Sequence, residues 1–201
     1  FDTSSEQPLA RGLVERIGTP QAKHLYDGPG GRFEEPLPGA DHARAFEAAA
    51  AALTHPQRGV VKSLADLNVI GHRVVHGGNQ LDAPTLVTPA VKETIRKVSA
   101  LAPLHNPVNL LGIELCEKLV PRTPQVAIFD TAFHQKMPPA AHLYAIPHEL
   151  AEKEGLRRYG FHGTSHEFVG RCAAGFLGRR FGELKLISCH LGNGASMAAV
   201  E

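Results

Sequence analysis

The 201 residues contain only three cysteines, Cys116, Cys172 and Cys189, and no two of them form a CxxC pair. An odd number without a framework excludes a disulfide-stapled scaffold and points to reduced thiols in a cytosolic protein. An excess of one charge is also missing. Lys+Arg 21 against Asp+Glu 20 leaves a net charge of +1, which argues against a nucleic-acid-binding or membrane-binding surface. No apolar run approaches the length of a membrane span, and the N-terminus shows no signal-peptide pattern. HEXXH and the short Cys/His pairings of structural zinc sites are absent, which argues against zinc despite the 12 histidines. GxGxxG and GKS/T are absent as well, so the chain carries neither a Rossmann fingerprint nor a P-loop. Without GxSxG, neither Ser165 nor Ser196 sits in a nucleophile elbow. No methionine precedes Phe1, and Glu201 directly follows an apolar strand-like run. Both ends read as cut, so the expectation is a piece of a longer protein.

What is present describes a globular α/β chain. A hydrophobic content of 43% with 20% charged residues suffices for a proper core. ARGLVERI (10–17) alternates as a strand, and the Gly/Pro-rich stretch 26–41 reads as a loop or irregular hairpin. The alanine-rich run 42–53 is helical. In NVIGHRVVHGG (68–78), the β-branched residues predict a buried strand running into a glycine pair. Thr88-Pro89 supplies a helix cap followed by proline, and Asn106-Pro107 repeats that device. QVAIFD (125–130) reads as a central strand with Asp130 at its C-terminal edge, where open α/β sheets bind ligands. His148–Glu154 is a short helix stopped by Gly155, and a longer helix is expected from about His166 to Leu177. LKLISCHL and ASMAAV form a hairpin around Gly192-Asn193-Gly194. A domain boundary is expected in the proline-bearing connection after Asp130, giving domains 1–131 and 132–201.

Four spots join reactive side chains to glycines or strand ends: Arg73 with His72 and His76, Asp130 with His134, His162 with His166, and His190 with Asn193. Each has a plain structural reading. Arg73, inside an apolar run, must find an anion, either a protein carboxylate or a ligand. Asp130 either caps a turn or serves a site. YGFHGTSH (159–166) is readable as a loop-to-helix junction capped by Thr164 or Ser165. His162 and His166 are four apart with a glycine and a cap residue between them, which argues against one shared helical face. The tip from His190 to Gly194 is either a hairpin turn alone or one whose backbone N–H groups meet a phosphate. Together the four spots offer cationic and hydrogen-bonding groups beside open backbone, as phosphoryl transfer to a small anion requires.

GHRVVHGG (71–78), LAPLHNP (101–107), FDTAFHQ-Lys136-MPP (129–139), YGFHGTSH (159–166) and CHLGNGAS (189–196) closely resemble the acetate kinase family, in the family's order. The resemblance implies the acetate and sugar kinase, Hsp70 and actin superfamily fold: a ribonuclease-H-like α/β domain plus the start of a second, similar, nucleotide-binding one. It implies reversible transfer of phosphate from ATP to acetate, with Mg²⁺ (or Mn²⁺), by a cytoplasmic homodimer. Arg73 then resembles the arginine that binds carboxylate and phosphoryl group, Asp130 the essential aspartate, and His162 the histidine that stabilises the transferring group. Val75, Leu104 and Phe161 match the pocket for the acetate methyl. His190, Leu191, Gly192, Asn193 and Gly194 match a nucleotide phosphate-binding turn.

The departures from the family are also informative. The family's first strand, with its asparagine and Gly-Ser-Ser-Ser turn, has no counterpart here. Nor do its second catalytic arginine, its adenosine-binding glycine segment and its magnesium-binding glutamate. No metal ligand is therefore assigned within this chain, and the 201 residues alone are expected to be inactive. Propionate kinase is the close alternative, since one methylene separates the substrates. Butyrate kinase fits the motifs less well, and a non-catalytic domain is the reading from another class.

Overall fold

The computed structural model describes all residues, Phe1–Glu201. It divides into two compact units, Phe1–Ile70 with Leu111–Pro124, and Gly71–Leu110 with Gln125–Glu201.

The first unit opens with an antiparallel meander of β1 (Arg11–Glu15), β2 (Lys23–Gly28) and β3 (Gly31–Pro36). The stretch read as a loop or irregular hairpin therefore supplies a regular β2–β3 hairpin, paired from Lys23↔Pro36 to Gly28↔Gly31. Gly31 takes φ +90 at its turn, which glycine adopts without strain. On this sheet His24, Tyr26 and Phe33 gather edge-on and tilted rings, and the Tyr26 hydroxyl donates to Arg58 O at 3.0 Å. A small core of Ala22, Leu37 and Ala40 packs with Val14 and Ala48. α1 (His42–Leu53) starts as its sequence predicts, with Asp41 accepting from Arg44 N at 2.9 Å. It ends at Thr54, whose hydroxyl donates to Ala50 O.

β4 (Ile70–Val74), β6 (Gln125–Phe129) and β5 (Thr85–Leu86) form a sheet with β6 in the middle, as the apolar run of QVAIFD predicts. β5 runs antiparallel to β6. Beside β4 the partners advance together, Ile70 N to Pro124 O and Asp130 N to Val74 O, which is the parallel arrangement. The uniformly buried strand expected at 68–78 is shorter and mixed: Gly71 and Arg73 are exposed while Val74 is buried. α2 (Pro89–Lys97) has Thr88 as its cap and buries Val91 and Ile95.

α3 (Asn106–Leu119) departs from its expected start. Asn106 lies inside the helix and is fully buried, and its amide is used elsewhere. Its Oδ1 accepts from His76 N at 3.0 Å, and its Nδ2 donates to His76 O at 2.9 Å. Next to it, Asn109 Oδ1 accepts from Val75 N at 3.1 Å. Thr131 Oγ1 accepts from Gly77 N, the His76 ring accepts from Gly78 N, and Gln135 donates to Gly78 O. Side chains thus take over the backbone hydrogen bonds where β4 ends, and hold residues 75–78 in place.

α4 (Pro139–His142) and α5 (His148–Glu154) follow, the latter closed by Gly155 at φ +64. α6 (Gly163–Phe176) begins before the expected His166. Neither Thr164 nor Ser165 caps it; His162 holds the cap position in the left-handed region, with no side-chain cap bond. β7 (Leu186–Leu191) and β8 (Ala195–Val200) form the predicted hairpin.

Replacing Asn106 by alanine strands the buried N–H and C=O of His76. We expect a loss of about 2–4 kcal/mol of unfolding free energy in urea, against about 1 kcal/mol for removing the exposed cap in Asp41→Ala. Equal costs would mean that Asn106 does not hold the end of β4.

Candidate active site

Asp130 follows directly on β6 and is 1% exposed. A carboxylate so buried needs a partner, and the neighbouring strand supplies one. Arg73 of β4 donates from Nε to Oδ1 at 3.0 Å and from Nη2 to Oδ2 at 2.5 Å, the two-pronged geometry that matches guanidinium to carboxylate. The Arg73 side chain remains 60% exposed, so the pair has one dry end and one wet end. The Asp130 bond pushes the Arg73 guanidinium further above its usual value, against the opposing effect of burial. Of the two readings of Arg73, the structure shows the protein carboxylate as its anion, and the same side chain also lines an open pocket.

That pocket has a volume of about 780 Å³. Its polar lining includes Arg73, Asp130, His162, His190, Asn193 and Gly194, and its apolar part includes Val75, Leu104 and Phe161. Leu191 and Gly192 belong to the same hairpin tip but do not line it. Their turn is closed by Gly192 N donating to Gly194 O at 3.0 Å.

Close backbone approach explains the glycines of YGFHGTSH. Gly163 N donates to Asp130 O at 2.9 Å, and a Cβ on Gly163 would lie 2.3 Å from that same oxygen. Gly160, at φ +74, leaves room for the His134 ring, 2.6 Å from where its Cβ would be. The first turn of α6 is in this way seated against the end of β6, and Thr164 Oγ1 comes to 3.5 Å from Asp130 Oδ1.

Four imidazoles collect here. His162 and His190 stack at 4.1 Å between ring centroids and 14° between planes. His190 Nδ1 is 2.9 Å from Ser165 Oγ, and His134 Nε2 meets Phe161 O at 3.0 Å. His162 and His166 converge after all, on one hydroxyl: Ser196 Oγ is 2.8 Å from His162 Nδ1 and 2.8 Å from His166 Nε2. The sequence argument compared faces of one helix, whereas the two rings meet through a residue of β8. Burial first, then neighbouring histidines, lowers the proton affinity of both His162 and His166. Burial alone does so for His76. Lowered proton affinity favours the neutral form of His162, His166 and His76, and a neutral imidazole donates one hydrogen bond. Nothing local in the sequence marks Ser165, Ser188 and Ser196 as site residues. Their signal lies in the period-two pairing of β7 and β8, which brings Ser196 opposite His190.

No group of three His, Cys, Asp or Glu side chains stands ready to hold a metal ion. Both oxygens of Asp130 are already engaged by Arg73. The residues present do not build a divalent-cation site by themselves.

Comparison with known proteins agrees with the motif reading. The model of the acetokinase family matches residues 1–201. The acetate kinase of Clostridium novyi is 48% identical over 203 residues, covering 100% of this chain and 50% of its own length. Among solved structures, a propionate kinase from Francisella tularensis superposes with a TM-score of 0.92 at 40% identity. An acetate kinase from Porphyromonas gingivalis does so with 0.90 at 39%. Each comparison covers 100% of this chain and 50% of the other. The chain therefore spans about half the length of the curated relatives it matches.

Proposed function

The chain belongs to the acetokinase family, with the mixed α/β fold of its solved relatives, and on that premise we propose that it serves reversible phosphoryl transfer between ATP and acetate. The observation that carries this reading is the composition of one pocket, a guanidinium and an imidazole on its polar lining, with Val75, Leu104 and Phe161 beside them. A short carboxylate is amphipathic in the same way. Its charged end suits Arg73, and its methyl suits the apolar residues.

Phosphoryl transfer needs positioning and neutralisation of spreading charge more than covalent help. In this reading Arg73 holds the carboxylate and meets the transferring group, while Asp130 fixes the angle of the guanidinium. His162 donates a hydrogen bond to an equatorial phosphoryl oxygen. The tip from His190 to Gly194 receives nucleotide phosphate, with Asn193 and Gly194 at the pocket and Leu191 and Gly192 shaping the turn. Mg²⁺ or Mn²⁺ with ATP belongs to the proposal, but its ligands are not among these residues and no step here runs through it. A homodimer in the cytoplasm is part of the same reading; no helix of the chain is long and apolar enough to cross a membrane. The break between residues 131 and 132 is proposed as the domain division of the whole protein. The packing units within this chain divide elsewhere, at 70/71, 110/111 and 124/125.

The similarity to a propionate kinase keeps that activity as the second reading. Val75 is half-buried and Leu104 exposed, so the methyl end of the pocket is not tightly closed.

In a hydroxamate assay for acetyl phosphate on the whole enzyme, Arg73→Ala should lose about 2–4 kcal/mol of transition-state stabilisation, affecting both acetate KM and kcat. The 201-residue chain alone should fall more than about tenfold below the whole enzyme, since charge neutralisation from several sides acts as a unit. Unchanged kinetics in Arg73→Ala would remove this residue from the site.

Val75→Ala should shift preference toward propionate, by up to about 1–3 kcal/mol. An unmoved ratio of the two kcat/KM values would show that Val75 does not shape the pocket.

A further inference from the structure

The hydroxyl shared by His162 and His166 constrains where protons can sit. A serine hydroxyl has one hydrogen, and a neutral imidazole has one N–H and one bare nitrogen. Ser196 Oγ therefore donates to one of its two rings and accepts from the other, both at 2.8 Å. The series continues inward, because His166 Nδ1 lies 3.0 Å from Ser188 Oγ of β7. His166 and Ser188 are 1% and 2% exposed.

Only two directions are possible. In one, Ser188 O–H donates to His166 Nδ1, His166 Nε2–H donates to Ser196, and Ser196 O–H donates to His162 Nδ1. His162 then carries its proton on Nε2. In the other, every bond is reversed, His162 presents a bare Nε2, and the Ser188 hydrogen must find a different acceptor. Ser188 has one side-chain hydrogen bond in the structure, the one to His166. Reversal leaves a buried O–H unsatisfied, so the first direction is favoured.

We propose that Ser188, His166 and Ser196 form a directed hydrogen-bond wire that holds His162 as its Nε2–H tautomer, with the donor available to the pocket. A second observation shows where that nitrogen sits. A Cβ on Gly194 would lie 3.0 Å from His162 Nε2, so the bare glycine keeps open the space beside it, at a turn that lines the pocket. The tautomer follows from the hydrogen-bond geometry of neutral rings and the cost of a stranded hydroxyl. Its use, donation to a phosphoryl oxygen, rests on the function proposed above. Ser188, His166 and Ser196 are positioning residues, since they act through His162.

The test is long-range proton–nitrogen correlation NMR on the ¹⁵N-labelled 201-residue chain, at a pH where the imidazoles are neutral. We expect His162 and His166 each to show a protonated Nε2 and a bare Nδ1. Ser196→Ala should convert His162 to a mixture of tautomers, and Ser196→Thr, which keeps the hydroxyl, should restore the single form. Ser188→Ala is the decisive variant, because its hydroxyl is bonded to His166 rather than to His162. A shift of the His162 tautomer in that variant must travel along the wire. If Ser188→Ala fails to fold, Ser196→Ala with its threonine rescue carries the same question. A proton on His162 Nδ1 in the unsubstituted chain, or a His162 pattern unmoved by both alanine variants, overturns the proposal. In the whole enzyme, Ser196→Ala should lower kcat by about 10–100-fold with KM little changed, by analogy with the loss of a partner that orients a metal-bound histidine. A fixed Nε2–H tautomer without that kinetic effect supports the wire and counts against the assigned phosphoryl role.

Discussion

A carboxylate buried at the end of a central strand is the constraint on which the second unit depends. Asp130 is bound through every group it has. Its side chain is clasped by Arg73, its N–H donates to Val74 O, and its C=O accepts from Gly163 N. The first contact orients the guanidinium that lines the pocket. The second fixes the register of β4 against β6, and the third seats α6 and with it His162. Exposed ion pairs contribute little to stability, and the wet end of this pair is of that kind. The dry end differs, because a buried charge left without its partner is costly.

The site also needs residues 75–78 held in a conformation that strand pairing does not supply. Side chains do this work. Asn106 and Asn109 of α3, with Thr131 and Gln135 beyond β6, bind the backbone of Val75, His76, Gly77 and Gly78. In consequence Val75 reaches the pocket while His76 lies buried against Tyr159, at 4.4 Å between ring centroids. A helix whose first turn reads as a capping device thus serves as a clamp.

Most of the framework is legible in the sequence because it is local. Thr88 caps its helix as predicted, Gly155 stops α5, and Asn193 sits in the expected hairpin turn. What the sequence does not show depends on contacts between distant segments. Asn106 is spelled like a cap, yet the chance to bind His76 outweighs capping. The start of α6 moves to Gly163 because Asp130 offers its carbonyl there, a bond between residues far apart in the chain. The joining of His162 and His166 through Ser196 depends on a hairpin packed beside α6, which helical spacing alone does not reveal. The motifs do place Arg73, Val75, Leu104, Asp130, Phe161, His162, His190, Asn193 and Gly194 around one pocket. Leu191 and Gly192 lie just off it.

If Asp130 and Arg73 act as one unit, their contributions to stability cannot be independent. A double-mutant cycle on unfolding free energies, with Arg73→Ala, Asp130→Ala and the double variant, measures this directly. The coupling should be about 1–3 kcal/mol, with loss of Arg73 alone costing more in the presence of Asp130 than in its absence. Costs that add to within about 0.5 kcal/mol would contradict the account.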